Sequence, residues 1–493
     1  MNAWQQVIQI ALIGTDKQTI STKEMDEDLL PAIDVINSNT AINREEQFLQ
    51  IATLIHQYTF CGTEASIKTD SSLPICEAET QSYCNTSATN VLRDILYENS
   101  DSLLKLWLQL CTAKQQIVVP ELLPILFDKL VQQKELQTYI ACLGKRGVWL
   151  SQFKSEWNFV QVASDEELWL RGTTDQRKKV LQHLRNTNTI LAREWLQATW
   201  GEENAATKQQ LLQALTINLS EDDVTWLESL TTEKSSKVKE DVLALLQQIT
   251  SATIVQQYAS FLQQSLVLKK EKTMFGLSSK QVLQIEVPNE VATQMVKHGL
   301  ENLSNKKGFS DEEWMVYQLV EHVPPKTLEQ YLQLSPQSII ELLQKEEATT
   351  KLITAVVSAT VRFSSKEWAI ALMQFSNVFY LDILPLLPMQ QQEYYSKKFF
   401  KGHEQSIIHY ASSRTQEWSL ELTQLICNYA AANPYNYSKS FFNQQIHLIP
   451  TQAITVLNND TLTEGYAKDY WTNTKTYVEK LLTIKQQTIQ SFQ

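Results

Sequence analysis

Between residues 125 and 287 the chain has no proline, and its 493 residues include only 11 glycines and 12 prolines. That is well under half the usual share of the two residues that build turns, hairpins and phosphate-cradling loops. A chain so poor in breakers is confined to helices joined by short links. Its 50 glutamines point the same way, because Gln is a good helix former. With 43 % apolar residues and 12 tryptophans the chain can bury a large core. The fold class predicted is all-α: an irregular HEAT-like α-solenoid in two lobes.

Periodicity organises the chain into five stretches. Residues 1–60 read as N-terminal helices, the clearest over 43–60, where Phe48, Ile51, Ala52, Ile55 and Tyr58 share one face. Residues 61–87 are polar and hold three of the six cysteines, and are read as a loop. Residues 88–267 form a helical HEAT-like lobe. Residues 268–310 are a connector with a short strand, since Val282, Ile285 and Val287 alternate; Lys269–Lys272 is read as a solvated helix end. Residues 311–493 return to helices as a C-terminal lobe.

The clearest section is 174–249, read as five helices with short links. Ser220 resembles an N-cap, followed by Glu221, Asp222 and Asp223, where carboxylates suit the helix dipole. Ser235 or Ser236 caps the fifth helix, with Val238, Val242, Leu245, Leu246 and Ile249 on one face. The last two helices resemble a HEAT-type repeat. A two-helix hairpin cannot bury its inner face alone and so stacks on the next. Outside this stretch the internal period is weak.

Charge narrows the partners. The formal net charge is −12, and residues 171–250 carry 10 basic and 11 acidic side chains. Phosphate tracking needs a basic stripe, so nucleic acid is disfavoured. No apolar run approaches the roughly 18 residues needed to span a bilayer. The start, Met1 to Gln6, lacks the basic region of a secretory signal. The expectation is therefore a cytoplasmic protein with reduced thiols.

Only Gly144 and Gly147 lie closer than five residues, so there is neither a dinucleotide fingerprint nor a P-loop. His403 and His409 are six apart, about 240° around a helix, and cannot grip one ion from one face. Cys61, Cys76 and Cys84 lack the short-spaced pair that anchors zinc. Cys111, Cys142 and Cys427 sit in apolar helical surroundings and read as core. No catalytic, cofactor or metal residue is assigned.

Six of the 12 tryptophans fall between Trp149 and Trp226. Two readings compete. In one, Arg146, Trp149, Arg171, Arg185 and Arg193 make an aromatic-plus-arginine face for an acidic partner. In the other, the same residues cap helices and stack on rings inside the fold.

Segments along most of the chain resemble an uncharacterised bacterial family of helical, HEAT-like proteins. They are Ala11–Lys17 (sequence Ala-Leu-Ile-Gly-Thr-Asp-Lys), Gly144–Leu150 followed by Trp157, then Trp169, Gly172, Arg177, Arg185, Arg193 and Trp200. Leu219–Val224 through Val238, and Val323-Pro324-Pro325 followed by Leu334-Ser335-Pro336, complete the set. Members of that family are often encoded beside a MoxR-type AAA ATPase, a von Willebrand A domain protein and a SWIM zinc-finger protein. The resemblance implies a partner class: a non-enzymatic scaffold or adaptor acting with the ATPase or the von Willebrand A protein. The alternatives are a nucleic-acid-binding HEAT-like repeat protein and a metal-dependent or Cys-based hydrolase.

Overall fold

The computed structural model describes residues 3–61, 74–160, 164–272, 279–455, 457 and 466–493. Two compact units emerge, Met1–Ile75 and Cys76–Gln493. The fold is all-α. Among the described residues, the exceptions are one two-stranded ribbon and a single bridge between Tyr83 and Ile117.

In the first unit the helices Ala3–Ile13, Leu30–Ser38 and Arg44–Cys61 close around Val7, Leu29, Ile33, Ile51 and Ile55. The predicted stripe on the third helix supplies Ile51 and Ile55 to that core. Gly14 ends the first helix at φ +105°, and its N–H donates to the Ile10 carbonyl, a left-handed stop that glycine adopts without a Cβ clash.

The second unit has three cores. The largest joins both ends of the unit. Helices Thr86–Tyr97, Asp101–Ala113 and Leu123–Gln132 pack with Leu420–Ala432 and Tyr466–Ser491. Trp107, Phe127 and Phe442 are fully enclosed there. Asn85 shows the closure in one side chain. Its Oδ1 accepts from Ala88 N at 2.8 Å as an N-cap, and its Nδ2 donates to the Ser491 carbonyl at 2.9 Å. Apolar stripes state that a helix packs, not which distant helix it meets, so this closure is invisible in the periodicity.

A second core spans Tyr258–Tyr395 and includes the ribbon. β1 (Leu266–Lys272) pairs antiparallel with β2 (Ser279–Ile285), Leu266 opposite Ile285 and Lys269 opposite Val282. The expected strand is thus present. Lys269–Lys272, read as a helix end, is instead its partner. The reason is local: Lys269 pairs with Glu286, and the Gln284 amide donates to Glu271 at 2.8 Å, so polar side chains line the exposed face of a strand.

The third core, Trp169–Val255, follows a register the sequence reading did not detect. Thr173, Asn204 and Ser235 are 31 residues apart, and each caps a helix. Their side-chain oxygens accept from Gln176 N (3.3 Å), Thr207 N (3.0 Å) and Val238 N (3.4 Å). The helices that follow are Thr174–Thr187, Ala205–Leu212 and Ser236–Leu246. Val180, Leu211 and Val242 occupy equivalent buried places, as do Leu184, Leu215 and Leu246, and Leu196, Leu227 and Tyr258. Consecutive helices pack side by side, so each hairpin buries its face on its neighbour.

Candidate functional site

The same register places a cation and a tryptophan together twice at 31-residue spacing, each time with a carboxylate, Glu203 and then Glu233, 30 residues apart. Arg177 lies over the Trp169 ring, 4.5 Å from its centroid, and its Nη2 meets Glu203 Oε1 at 2.6 Å. Lys208 lies over Trp200 at 4.9 Å, and its Nζ meets Glu233 Oε1 at 2.9 Å. The Trp200 indole N–H donates to the same Glu233 oxygen at 2.7 Å. Lys208, more than any other neighbour, holds the Glu233 carboxyl below its usual range. Trp195 and Trp226 extend the series, ring to ring with Trp169 (5.9 Å) and Trp200 (5.3 Å). A desolvated cation over an aromatic face adds about 0.5–2 kcal/mol of attraction to each packing contact.

The same core holds a buried ionic knot. Arg185 and Asp223 are both fully enclosed. The guanidinium donates from Nη1 to Asp223 Oδ1 (3.1 Å) and from Nη2 to Oδ2 (2.9 Å), the bidentate fork that Arg alone offers. Its remaining donors go to the Ile217 carbonyl (2.8 Å) and the Asn218 carbonyl (2.6 Å). Arg193 Nε adds 2.8 Å to Asp223 Oδ1, and Ser220 N adds 3.0 Å to Oδ2. Asn218, at φ +49°, returns its amide to the Arg185 carbonyl at 2.8 Å. Burial alone would raise the Asp223 carboxyl; the two arginines outweigh it and hold it below the carboxylate range. The expected carboxylate beside the Ser220 cap is therefore a structural anchor, accepting four hydrogen bonds.

The five residues singled out from the sequence are not one patch. Arg185 faces inward and leaves no surface for a partner, because its desolvated charge is satisfied within the fold. Arg193 is 15 % exposed and joins it through Asp223, with Asp222 at 3.8 Å on the open side. Arg171 is exposed at the end of helix Asp165–Arg171, beside the exposed Leu170. Arg146 and Trp149 belong to helix Gly144–Ser151, which packs against the first core rather than the third. Arg146 is exposed, and Trp149 is half-buried edge-on to Phe153 at 4.8 Å.

Glu79 explains the Gly144-Lys145-Arg146-Gly147 motif. Its carboxylate accepts from Lys145 N (2.9 Å) and Arg146 N (2.8 Å) at the start of that helix. Gly144 sits at φ +64°, ψ −172°, and a Cβ there would fall 2.7 Å from Glu79 Oε2. Glu79 lies in the polar stretch 61–87, and nothing in its sequence context marks it. Asp223 and Glu233, by contrast, stand 25 to 38 residues from their cations, within about one repeat of the 31-residue register.

The thiols regroup as well. Cys84 leaves the polar stretch for the core, its Sγ 3.5 Å from Cys111 Sγ. Cys142 Sγ is 3.0 Å from Thr112 Oγ1, and Cys142 also contacts Cys111. The hydrogen bonds from Cys142 and Cys84, then burial, push the Cys111 thiol up. Cys61 is exposed at the end of its own helix, and Cys76 donates to the Glu77 carbonyl at 3.3 Å. Among the described residues no group of three or more His, Cys, Asp or Glu is placed to hold a metal. Among them also, no helix is long and apolar enough to cross a membrane.

A family model described as "Family of unknown function (DUF5691)" matches residues 6–492. No curated protein and no solved structure matches the chain.

Proposed function

We propose that this chain, which belongs to the DUF5691 family of unknown function, is a non-enzymatic HEAT-like scaffold that docks a protein partner in the cytoplasm. The observation that carries this reading is the pair of cation–tryptophan–carboxylate clamps whose cations and tryptophans recur at 31-residue spacing, together with the buried Arg185–Asp223 knot. Such internal clamps hold successive hairpins in one arrangement, and a stack held rigid presents a pre-organised surface, which lowers the entropy cost of docking. The clamping residues are consumed in this role. Docking therefore falls to the exposed members of the arginine–aromatic set, Arg171 in the stack and Arg146, with the half-buried Trp149, on helix Gly144–Ser151. Leu170 and Ile190, 70 % and 59 % exposed, add apolar contact area at the start of the stack.

The resemblance noted from the sequence directs the choice of partner to a MoxR-type AAA ATPase or the von Willebrand A domain protein encoded with it. The test is calorimetry of the purified full chain with each of the two proteins. The reading expects a complex with one of them, weakened about tenfold or more by R171E combined with L170D, since interface anchors cost more than 1 kcal/mol each when removed. No complex with either protein, or a complex indifferent to the double substitution, would overturn it.

A further inference from the structure

Five of the nine arginines are buried or half-buried: Arg177, Arg185, Arg193, Arg362 and Arg414. Four of them have a carboxylate partner: Glu203 for Arg177, Asp223 for Arg185 and Arg193, and Glu393 for Arg414. Arg362 has none among the described residues, and its Nε is enclosed without a hydrogen-bond acceptor. A guanidinium cannot shed its charge to escape such a site, so a missing acceptor there is costly.

Arg362 opens onto a cleft of about 530 Å³. One wall is formed by the hairpin tips Asn218–Ser220 and Thr250, the other by Arg362 and Ser364 at the end of helix Leu352–Arg362. Asn218 and Ser364 both hold left-handed backbone, at φ +49° and +48°, a conformation that costs a side-chain-bearing residue about 1 kcal/mol. The Thr250 and Ser364 hydroxyls make no hydrogen bond within the described residues, so they are available as donors. The Asn218 wall is fixed in advance, because Arg185 binds the Ile217 and Asn218 carbonyls from behind.

Glu221 lines the rim as a carboxylate, and its Oε2 accepts from two neutral donors, the Ser251 N–H at 3.1 Å and the Ser251 hydroxyl. Glu321 attracts Arg362 without forming an ion pair. Burial first, and then the Arg362 charge, lowers the His322 imidazole from its ordinary value.

We propose that this cleft is a binding site for a phosphate group, free or on a small phosphorylated metabolite, with Arg362 as its charge partner and Thr250 and Ser364 as hydroxyl donors. A guanidinium edge plus hydroxyls from separate segments suits an acceptor with more than two peripheral oxygens, which phosphate has and a carboxylate lacks. The site stands apart from the docking surface and does not depend on it.

The test is equilibrium dialysis of the full chain against radiolabelled inorganic phosphate at constant ionic strength. The expected result is saturable binding with a dissociation constant of about 1 mM or tighter. R362Q weakens it about tenfold or more, R362K less, because a point charge replaces the fork. T250V, which leaves Arg362 in place, weakens it about two- to fivefold and serves if R362Q fails to fold. Glycerol phosphate binding more tightly than inorganic phosphate identifies a metabolite as the source, and weaker binding identifies the free ion. No binding to the wild type, equal binding to R362Q and wild type, or displacement by acetate as effective as by phosphate would overturn the assignment.

Discussion

Asp223→Asn separates a structural knot from a binding face most sharply. Asp223 is fully enclosed and accepts four hydrogen bonds, three from arginines and one from Ser220 N. The amide keeps one acceptor oxygen, turns the other into a donor facing Arg193 or Arg185, and removes the negative charge that pairs with the enclosed Arg185. Leaving a buried charge uncompensated costs about 3–5 kcal/mol. Unfolding of the whole 493-residue chain is not expected to be two-state, so the local quantity to measure is hydrogen exchange in peptides covering 213–230. At about 1.4 kcal/mol per decade, protection there falls by roughly two to nearly four orders of magnitude. Peptides of the first unit keep their protection. A loss below about fivefold, equivalent to roughly 1 kcal/mol, would refute the reasoning. Replacing Arg185 and Asp223 together with leucine should recover only part of the lost protection, because no charge is left enclosed at Arg185 but Arg193 and the Ile217 and Asn218 carbonyls still lose their partners.

Three further outcomes follow from the same geometry. On acidification the depressed carboxyls of Asp223 and Glu233 act together. Their contribution is fully present above the ordinary carboxyl values of about 4 and is lost as pH falls through the lower folded values. Exchange in 205–233, corrected for its intrinsic rate, therefore stays flat from neutral pH to about 5 and rises below about 4; protection that grows on acidification contradicts this. Gly144→Ala forces a side chain into φ +64°, ψ −172° against Glu79, costing about 1–3 kcal/mol, read as faster exchange over 144–151. Unchanged exchange there would mean that Glu79 does not hold the helix start. Brief alkylation of the native chain at pH 8, read by mass spectrometry, labels the exposed Cys61 first. It spares Cys111, whose thiol is pushed up, and Cys427, which burial pushes to about 12; equal labelling of Cys111 and Cys61 would contradict the thiol cluster.

Much of the fold was legible because helix formation is local. Scarce glycine and proline, the capping residues Ser220 and Ser235, and the stripe through Val238, Val242, Leu245 and Leu246 state their structure within a few residues. The ribbon was half legible: β2 alternates, whereas β1 looked helical because its charged residues match either state and its pairing with β2 is a tertiary fact. The three cores were not legible, since an apolar stripe has no address. The candidate site was readable in kind but not in direction. The Trp- and Arg-rich segment is special, yet Arg185 turns inward because a carboxylate 38 residues away meets it. Glu79 gave no warning, and its role appears only through the glycine and the helix start it contacts. Arg362 was overlooked because what distinguishes it is the lack of a partner.

The central claim is that the stack is clamped from within so that its outer residues can hold a partner. Hydrogen exchange of the full chain, alone and saturated with the MoxR-type ATPase or the von Willebrand A protein, tests it most directly. The account predicts added protection at 164–171 and 189–193, with the already protected 211–227 unchanged. Protection confined to 211–227, or none in the stack at all, would contradict it.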